Sequence, residues 1–242
     1  MGWYKHWFGT PWYALLYGHR DENEARTWVA TLLDRWGLPP GSKVLDMACG
    51  RGRHARWFHS AGMKVTGIDI SVESIEAAEK LVPQAEFHVH DMREPFAQAE
   101  FDAACCLFTS LGYFDDLQDD RKVFAAAWHA LRPGGRFVVD FMNSPLVISQ
   151  LVQEERIVRN GAEFNVVRSV ENGKIVKRIT VKAEGKEHEF VEQVQALLPE
   201  ELTDLARDAG FELAEITDGP KALPFDPESS ARFVMWMQKP MA

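Results

Sequence analysis

The chain has 242 residues, 46% of them hydrophobic, which suits one α/β domain with an insertion and a core covered on two sides. Its formal charge of −9 argues against a long nucleic-acid footprint, which needs clustered Lys and Arg to displace counterions. The three cysteines, Cys49, Cys105 and Cys106, have neither zinc-ligand spacing nor the even count of a disulfide framework, so no metal site is expected. No apolar run approaches membrane-spanning length, and the N-terminus lacks the unbroken apolar core of a signal peptide. A cytoplasmic, reduced protein without a membrane partner is the expectation.

An aromatic-rich start leads to a helix. Asp21 with Glu24 makes a capping-box-like entry, and Ala25, Trp28, Val29, Leu32, Leu33 and Trp36 recur at helical spacing until Leu38-Pro39-Pro40-Gly41 stops the run. Strands are then expected near 43–47, 64–69, 86–90, 101–107 and 136–142, with helices near 52–61, 71–81 and 117–131 between them. Ser71 is placed to cap the second of these helices, and Arg132-Pro133-Gly134-Gly135 reads as a turn before the fifth strand. Such alternation predicts a doubly wound, Rossmann-like α/β fold with a parallel sheet. From 150 to 197 the pattern changes. Asn160-Gly161, Asn172-Gly173 and Glu184-Gly185 are two-residue hairpin signals between alternating strands, which predicts an antiparallel β-meander inserted in the main fold. A helix near 199–210, a strand near 211–217 and a last strand, Arg232 to Gln238, return to the sheet. The whole of 1–242 is read as a single domain, with 1–40 as an N-terminal segment and helix and 150–197 as the β insertion.

The chemistry starts at Val44 to Ala55, VLDMACGRGRHA. Its glycine turn at the carboxyl end of a parallel strand is where open α/β sheets bind ligands through bare backbone. Gly50-Arg51-Gly52-Arg53-His54-Ala55 formally fits the dinucleotide pattern G-x-G-x-x-G/A. Asp46, just before the turn, decides between ligands: it would repel a pyrophosphate on the helix N-terminus. A nucleoside cofactor without phosphates, carrying an ammonium and a sulfonium, fits instead. Asp69 lies about twenty residues further on, where an acidic residue can accept hydrogen bonds from both ribose hydroxyls. Asp91 and Met92 follow the third strand, where the carboxylate can accept from an adenine amino group while Met92 packs on the ring.

VLDMACGRGRHA, GIDIS, HDMREPF, FDAACCLFTSLGYF and LRPGGRFVVDF stand in the order and spacing of the class I S-adenosylmethionine (SAM)-dependent methyltransferases, and FTSLGYF with the Asp-Met-Arg step is similar to a bacterial small-molecule group among them. The resemblance implies a seven-stranded sheet in the order 3-2-1-4-5-7-6 with the last strand antiparallel. It places Asp46 near the methionine ammonium and the backbone of Ala48, Cys49, Gly50 and Gly52 around the methionine. Asp69 and Ile70 fall at the ribose, Asp91 and Met92 at the adenine, and Leu107 and Phe108 beside the sulfonium. Ala48 replaces the family's first loop glycine, so it is expected to avoid positive φ. The residues after the fourth strand, Leu107-Phe108-Thr109-Ser110, lack the Asn-Pro-Pro-aromatic signature of enzymes acting on nucleic-acid bases, which argues against a DNA or RNA acceptor.

The acceptor is expected to be a small polar or anionic metabolite. The aromatic N-terminus reads as a lid, with Tyr13 beside the cofactor and Tyr17, His19 and Arg20 facing the pocket, while Tyr113 and Phe114 line the acceptor side. If all three hairpins are two-residue loops, Gln153, Arg168, Lys177 and Glu192 form one row across the meander. Arg168 opposite Lys177 then needs an anion, since Glu192 neutralises only one of them; either the row is a structural ion network or it binds an acceptor carboxylate or phosphate. Tyr17, His19 and His54 are the candidate bases. A non-catalytic SAM-binding regulator and a nicotinamide-dependent dehydrogenase are the alternatives, and exposed meander edges leave both a monomer and a homodimer open.

Overall fold

In the computed structural model, which describes residues 2–18 and 22–241, two short helices, α1 (Tyr4–Trp7) and α2 (Pro11–Tyr17), precede the long α3 (Glu22–Trp36). The side chain of Thr10 accepts a hydrogen bond from the Tyr13 amide at 3.1 Å and Pro11 occupies the first turn, so α2 starts with both usual N-terminal devices. Next come β1 (Lys43–Met47), α4 (Arg53–Ser60), β2 (Lys64–Asp69), α5 (Val72–Leu81), β3 (Glu86–Val89), β4 (Phe101–Cys106), α6 (Leu117–Ala130) and β5 (Leu131–Met142). Ser71 caps α5 as expected, accepting from the Ser74 amide at 3.1 Å.

The second half holds α7 (Ser144–Ser149), the meander strands β6 (Glu154–Arg159), β7 (Ala162–Glu171), β8 (Lys174–Ala183) and β9 (Lys186–Gln195), then α8 (Pro199–Asp208), β10 (Glu212–Asp218), β11 (Leu223–Pro224) and β12 (Arg232–Gln238). The main sheet runs β3-β2-β1-β4-β5-β12-β10-β11. Strands β1 to β5 pair in parallel, and β12 is antiparallel to both β5 and β10. This is the expected order with one more edge, the two-residue β11 on β10. β1 and β4, the central strands, are almost wholly buried, and a hydrophobic cluster lies on each face of the sheet.

Two local expectations change. The turn at 132–135 lies inside β5, where the pairing with β4 slips between Phe101 and Ala103 and Gly134 takes φ 77°; it is a bulge in a strand. The short α1, α2, α7 and β11 were not expected, being too brief for hydrophobic periodicity to mark.

The meander is a separate four-stranded sheet in sequence order. Asn160, Asn172 and Glu184 all take positive φ, each followed by a glycine that does the same, which is the type I′ requirement. Arg168 therefore pairs with Lys177, and Lys177 with Glu192, while the Arg168 amide donates to the Gln153 carbonyl at 2.7 Å. Phe164, Val166, Ile179 and Val181 bury their side chains against Trp7 and Leu16 of the N-terminal helices. At about 1.5–3 kcal/mol for each aliphatic or phenylalanine side chain removed from water, this contact fixes α1 and α2 on the meander.

Candidate cofactor and acceptor site

β1 delivers Asp46 to the carboxyl edge of the sheet, and the chain then turns through Ala48 (φ 55°), Gly50 (φ 54°) and Gly52 (φ 79°). Ala48 thus occupies the left-handed region it was expected to avoid. The Cys49 amide donates to the Ile68 carbonyl at 3.0 Å, and the Gly50 amide to Asp69 Oδ2 at 2.9 Å. These bonds impose the turn and override the intrinsic preference of alanine. Asp69 Oδ1 accepts from the Ser71 amide at 2.9 Å, so one carboxylate joins the glycine turn to the start of α5. Burial pushes the Asp69 carboxyl up and those amides pull it back.

Above this turn lies a cavity of about 380 Å³, and the structure brings most of the expected cofactor residues to it. Asp46, Ala48, Cys49 and Gly50 line it from β1 and the turn, Asp69 and Ile70 from β2, Asp91 and Met92 from the end of β3, Leu107 and Phe108 from the end of β4. Tyr13 and Tyr17 of α2 close it, their rings 5.0 Å apart, together with Tyr113 and Phe114. Gly52 is not part of this lining. A side chain there would meet Ala78 Cβ at 3.0 Å and Phe87 at 3.5 Å, so this glycine lets α4 pack against α5 and β3.

Asp46 is buried. Its Oδ1 accepts from the Cys105 thiol at 3.7 Å, and its Oδ2 has no hydrogen-bond partner among the described residues. Burial pushes this carboxyl from 3.8 up to about 7, and the Cys105 hydrogen bond first and Arg53 second offset only part of that. An orphaned carboxylate oxygen in the wall of a cavity is a site for a cation. This is the fit that a SAM ammonium requires, and it is the opposite of what a pyrophosphate requires. Asp91 is engaged more heavily than expected: both its oxygens accept from Arg93, the closest at 2.6 Å, and Arg93 also reaches Asp119 at 2.6 Å.

His54, in the first turn of α4, also lines the cavity, but burial first and Arg53 second lower its pKa to about 3. An imidazole so hard to protonate is a poor general base at neutral pH, which argues against that role. Its Nε2 is buried with no partner among the described residues. Tyr17 stands differently. Its hydroxyl donates to Glu192 Oε2 at 3.0 Å and accepts from Lys177 Nζ at 3.0 Å, while Trp7 Nε1 donates to Glu192 Oε1 at 2.6 Å. His19, Arg20 and the Asp21 of the expected capping-box entry lie outside the described residues.

A second cavity of about 490 Å³ lies on the meander side. It shares Phe8, Tyr13, Phe108 and Tyr113 with the first, so the two adjoin across an aromatic wall. The basic row faces it, but the charge balance differs from expectation. Lys177 is bound to Glu192 at 3.1 Å, and Arg168 has its own carboxylate, Glu155, at 2.6 Å. Glu155 sits on β6, one step beyond the row that hairpin register predicts, and so was missed.

Also missed were Asp140 and Arg232. Asp140 Oδ2 accepts from the Phe108 amide at 2.8 Å, its Oδ1 accepts from Arg232 Nε at 2.7 Å, and its backbone carbonyl accepts from the Thr109 amide at 3.0 Å. A buried aspartate ending the apolar run Phe137-Val138-Val139 was the signal that could have found this junction. No group of three or more His, Cys, Asp and Glu suited to a metal occurs among the described residues, and no described helix is long and apolar enough to cross a membrane.

The Rossmann-like order, the glycine turn and the orphaned carboxylate together define a nucleoside-cofactor site of the SAM type. Residues 44–135 match the methyltransferase domain family, so this part of the chain resembles a methyltransferase domain. The chain is 31% identical over 136 residues to the dTDP-4-amino-2,3,4,6-tetradeoxy-D-glucose N,N-dimethyltransferase of Saccharopolyspora spinosa, covering 54% of this chain and 55% of that one. It is 28% identical over 123 residues to the demethylmenaquinone methyltransferase of Renibacterium salmoninarum, covering 50% of each. The chain thus spans about half the length of the curated relatives it matches. A solved S-adenosylmethionine-dependent methyltransferase of Clostridium acetobutylicum shares the fold over 94% of this chain and 95% of its own, with a TM-score of 0.82 at 17% identity.

Proposed function

We propose that this protein transfers the methyl group of SAM to a small polar or anionic molecule bound on the meander side of the site. The observation that carries the reading is Asp46, which lines the first cavity with a buried Oδ2 that has no partner among the described residues. Asp46 holds the cofactor's ammonium, the backbone of Ala48 to Gly50 takes its methionine chain, Asp69 its ribose, Asp91 and Met92 its adenine, and Leu107 and Phe108 flank the sulfonium. When bound there, the cofactor supplies an electrophilic methyl group.

The chain's own contribution is placement. Phe8, Tyr13, Phe108 and Tyr113, shared by both cavities, narrow the passage and exclude water, so that acceptor and methyl meet in line. The N-terminal segment acts as the lid, latched to the meander through Trp7, Tyr17 and Glu192. Tyr17 is the favoured relay for an acceptor proton: it lines the first cavity, and as it takes that proton its own hydroxyl proton passes to Glu192 Oε2, to which it already donates. Lys177 positions that hydroxyl. Arg168, matched by Glu155, belongs to the wall that keeps the row neutral. An amine is the favoured methyl-accepting group, by similarity to the N,N-dimethyltransferase of Saccharopolyspora spinosa.

The test is calorimetric binding of SAM and S-adenosylhomocysteine followed by a screen for S-adenosylhomocysteine release over amines and carboxylates. Binding with turnover of at least one acceptor is expected. Binding without turnover across the library favours a regulator, and stabilisation by NADH in place of SAM favours a dehydrogenase.

A further inference from the structure

Each cation lining the second cavity has a carboxylate, yet one of them is left with donor capacity. Arg168 is matched by Glu155 and Lys177 by Glu192. Arg232 is bound to Asp140 through Nε, while its Nη2 is buried and has no hydrogen-bond partner among the described residues. Thr109 lines the same cavity, and its hydroxyl is likewise buried and unpartnered. Arg232 opens β12 and Thr109 follows β4, so these two orphaned groups come from opposite sides of β5.

The backbone at Thr109 is held in an unusual state. Phe108 and Thr109 take φ 61° and 57° in succession, although neither is glycine and Thr109 is β-branched. That conformation is costly and persists only where the surroundings impose it. Here Asp140 imposes it, binding the Phe108 amide with its carboxylate and the Thr109 amide with its carbonyl, while it also holds Arg232. One residue thus sets the aromatic wall of the first cavity and the polar wall of the second.

We propose that the second cavity seats an anionic group of the acceptor, a carboxylate or a phosphate, held by Arg232 Nη2 and the Thr109 hydroxyl. The guanidinium can only donate and the hydroxyl is free to donate beside it, and a cationic donor next to a second donor recognises an anion in preference to a neutral group. The acceptor is then a two-ended molecule: its nucleophile reaches past Phe108 and Tyr113 toward the cofactor cavity, and its anion remains at β12. This rests on the reading of the first cavity as the cofactor site.

The experiment uses protein saturated with S-adenosylhomocysteine, titrated with 13C-acetate and with inorganic phosphate and followed by ligand line broadening. Wild-type protein is expected to broaden one or both, with mutual competition, and the better binder identifies which anion the acceptor carries. Arg232→Lys keeps a charge opposite Asp140 but loses the guanidinium fork, and it should weaken the anion at least tenfold. Thr109→Ala should weaken it about threefold, a loss near 0.6 kcal/mol, and it provides a second reading if Arg232→Lys folds poorly. The exposed Arg156→Lys should change nothing. S-adenosylhomocysteine affinity should stay within twofold in all three variants. Anions that bind wild type no better than Arg232→Lys and Thr109→Ala overturn the proposal, as does wild type that binds neither. Failure of wild type to bind S-adenosylhomocysteine instead overturns the reading of the first cavity. With a matched acceptor pair, an amino acid and its amide, Arg232→Lys should raise KM for the acid alone and leave kcat near its wild-type value.

Discussion

In the first cavity the carboxylates are set mainly by main-chain groups: Asp69 by the amides of Gly50 and Ser71, the turn above Asp46 by the bond from Cys49 to Ile68, and Asp91 by both the amide and the guanidinium of Arg93. In the meander cavity they are set by side chains from distant elements. Trp7 and Tyr17 reach Glu192, Lys177 reaches Tyr17, and Arg232 reaches Asp140. A main-chain frame changes little when one side chain is replaced, whereas a side-chain frame changes with each member. This contrast supports the proposed assignment of the first cavity to a fixed cofactor and of the second to a variable acceptor.

The largest expected effect comes from Asp46→Asn, which keeps the shape and removes the charge. SAM affinity should fall about a hundredfold, near 2.8 kcal/mol, because a buried ammonium then lacks its counterion. Stability should move the other way. An Asp46 that titrates at 3.8 when unfolded and at about 7 when folded keeps its proton longer in the native state. Wild-type stability therefore declines as pH rises between these values, and the penalty is complete above about 7. Unfolding at pH 5 and pH 8 should show this decline in wild type and a smaller one in Asp46→Asn. The same titration makes SAM affinity rise with pH up to about 7 and then level off, since the ionised carboxylate is the binding form. A pH-independent affinity in wild type would remove Asp46 from the cofactor site.

Next is Asp69→Ala. A charged hydrogen bond contributes about 1.5–3 kcal/mol, so cofactor affinity should drop about tenfold to a hundredfold. Because the Gly50 amide loses its acceptor too, exchange protection of that amide should fall in the same variant. Unchanged affinity with lost protection would leave Asp69 a purely structural tie.

Glu192→Gln probes the other frame. It should lower acceptor kcat/KM by about tenfold, one charge-assisted hydrogen bond of about 1.5 kcal/mol, while the SAM dissociation constant moves less than threefold. Equal losses on both sides would mean that the lid latch serves the cofactor as much as the acceptor.

The same contrast explains what was legible in sequence. Strand order, the hairpin register and the carboxylates that line the first cavity were readable because each is encoded within a few residues: a strand, a turn, then an acid. The pairing of Arg168 with Lys177 followed from three two-residue turns alone. Glu155 and Arg232 were not readable, since their roles depend on how β6 meets β7 and β12 meets β5, and no local pattern marks that; Asp140 left only the trace of an acid after an apolar run. Gly52 has the pattern of a ligand turn, and the structure adds a packing reason for it that no local pattern shows: a side chain there would meet Ala78.

Ala48 gives the smallest effect and isolates the cost of the main-chain frame. A left-handed φ of 55° disfavours alanine by roughly 1–2 kcal/mol, while glycine's greater freedom in the unfolded chain costs about 0.5–1 kcal/mol. The two terms leave Ala48→Gly stabilising by about 0.5–1 kcal/mol, a rise of about 1–4 °C in Tm for a chain of this length. SAM affinity should change less than twofold, because the bonds from Cys49 to Ile68 and from Gly50 to Asp69 already hold the turn. A larger gain in affinity would mean that the turn is not preformed and that the cofactor itself has to drive Ala48 into the left-handed region.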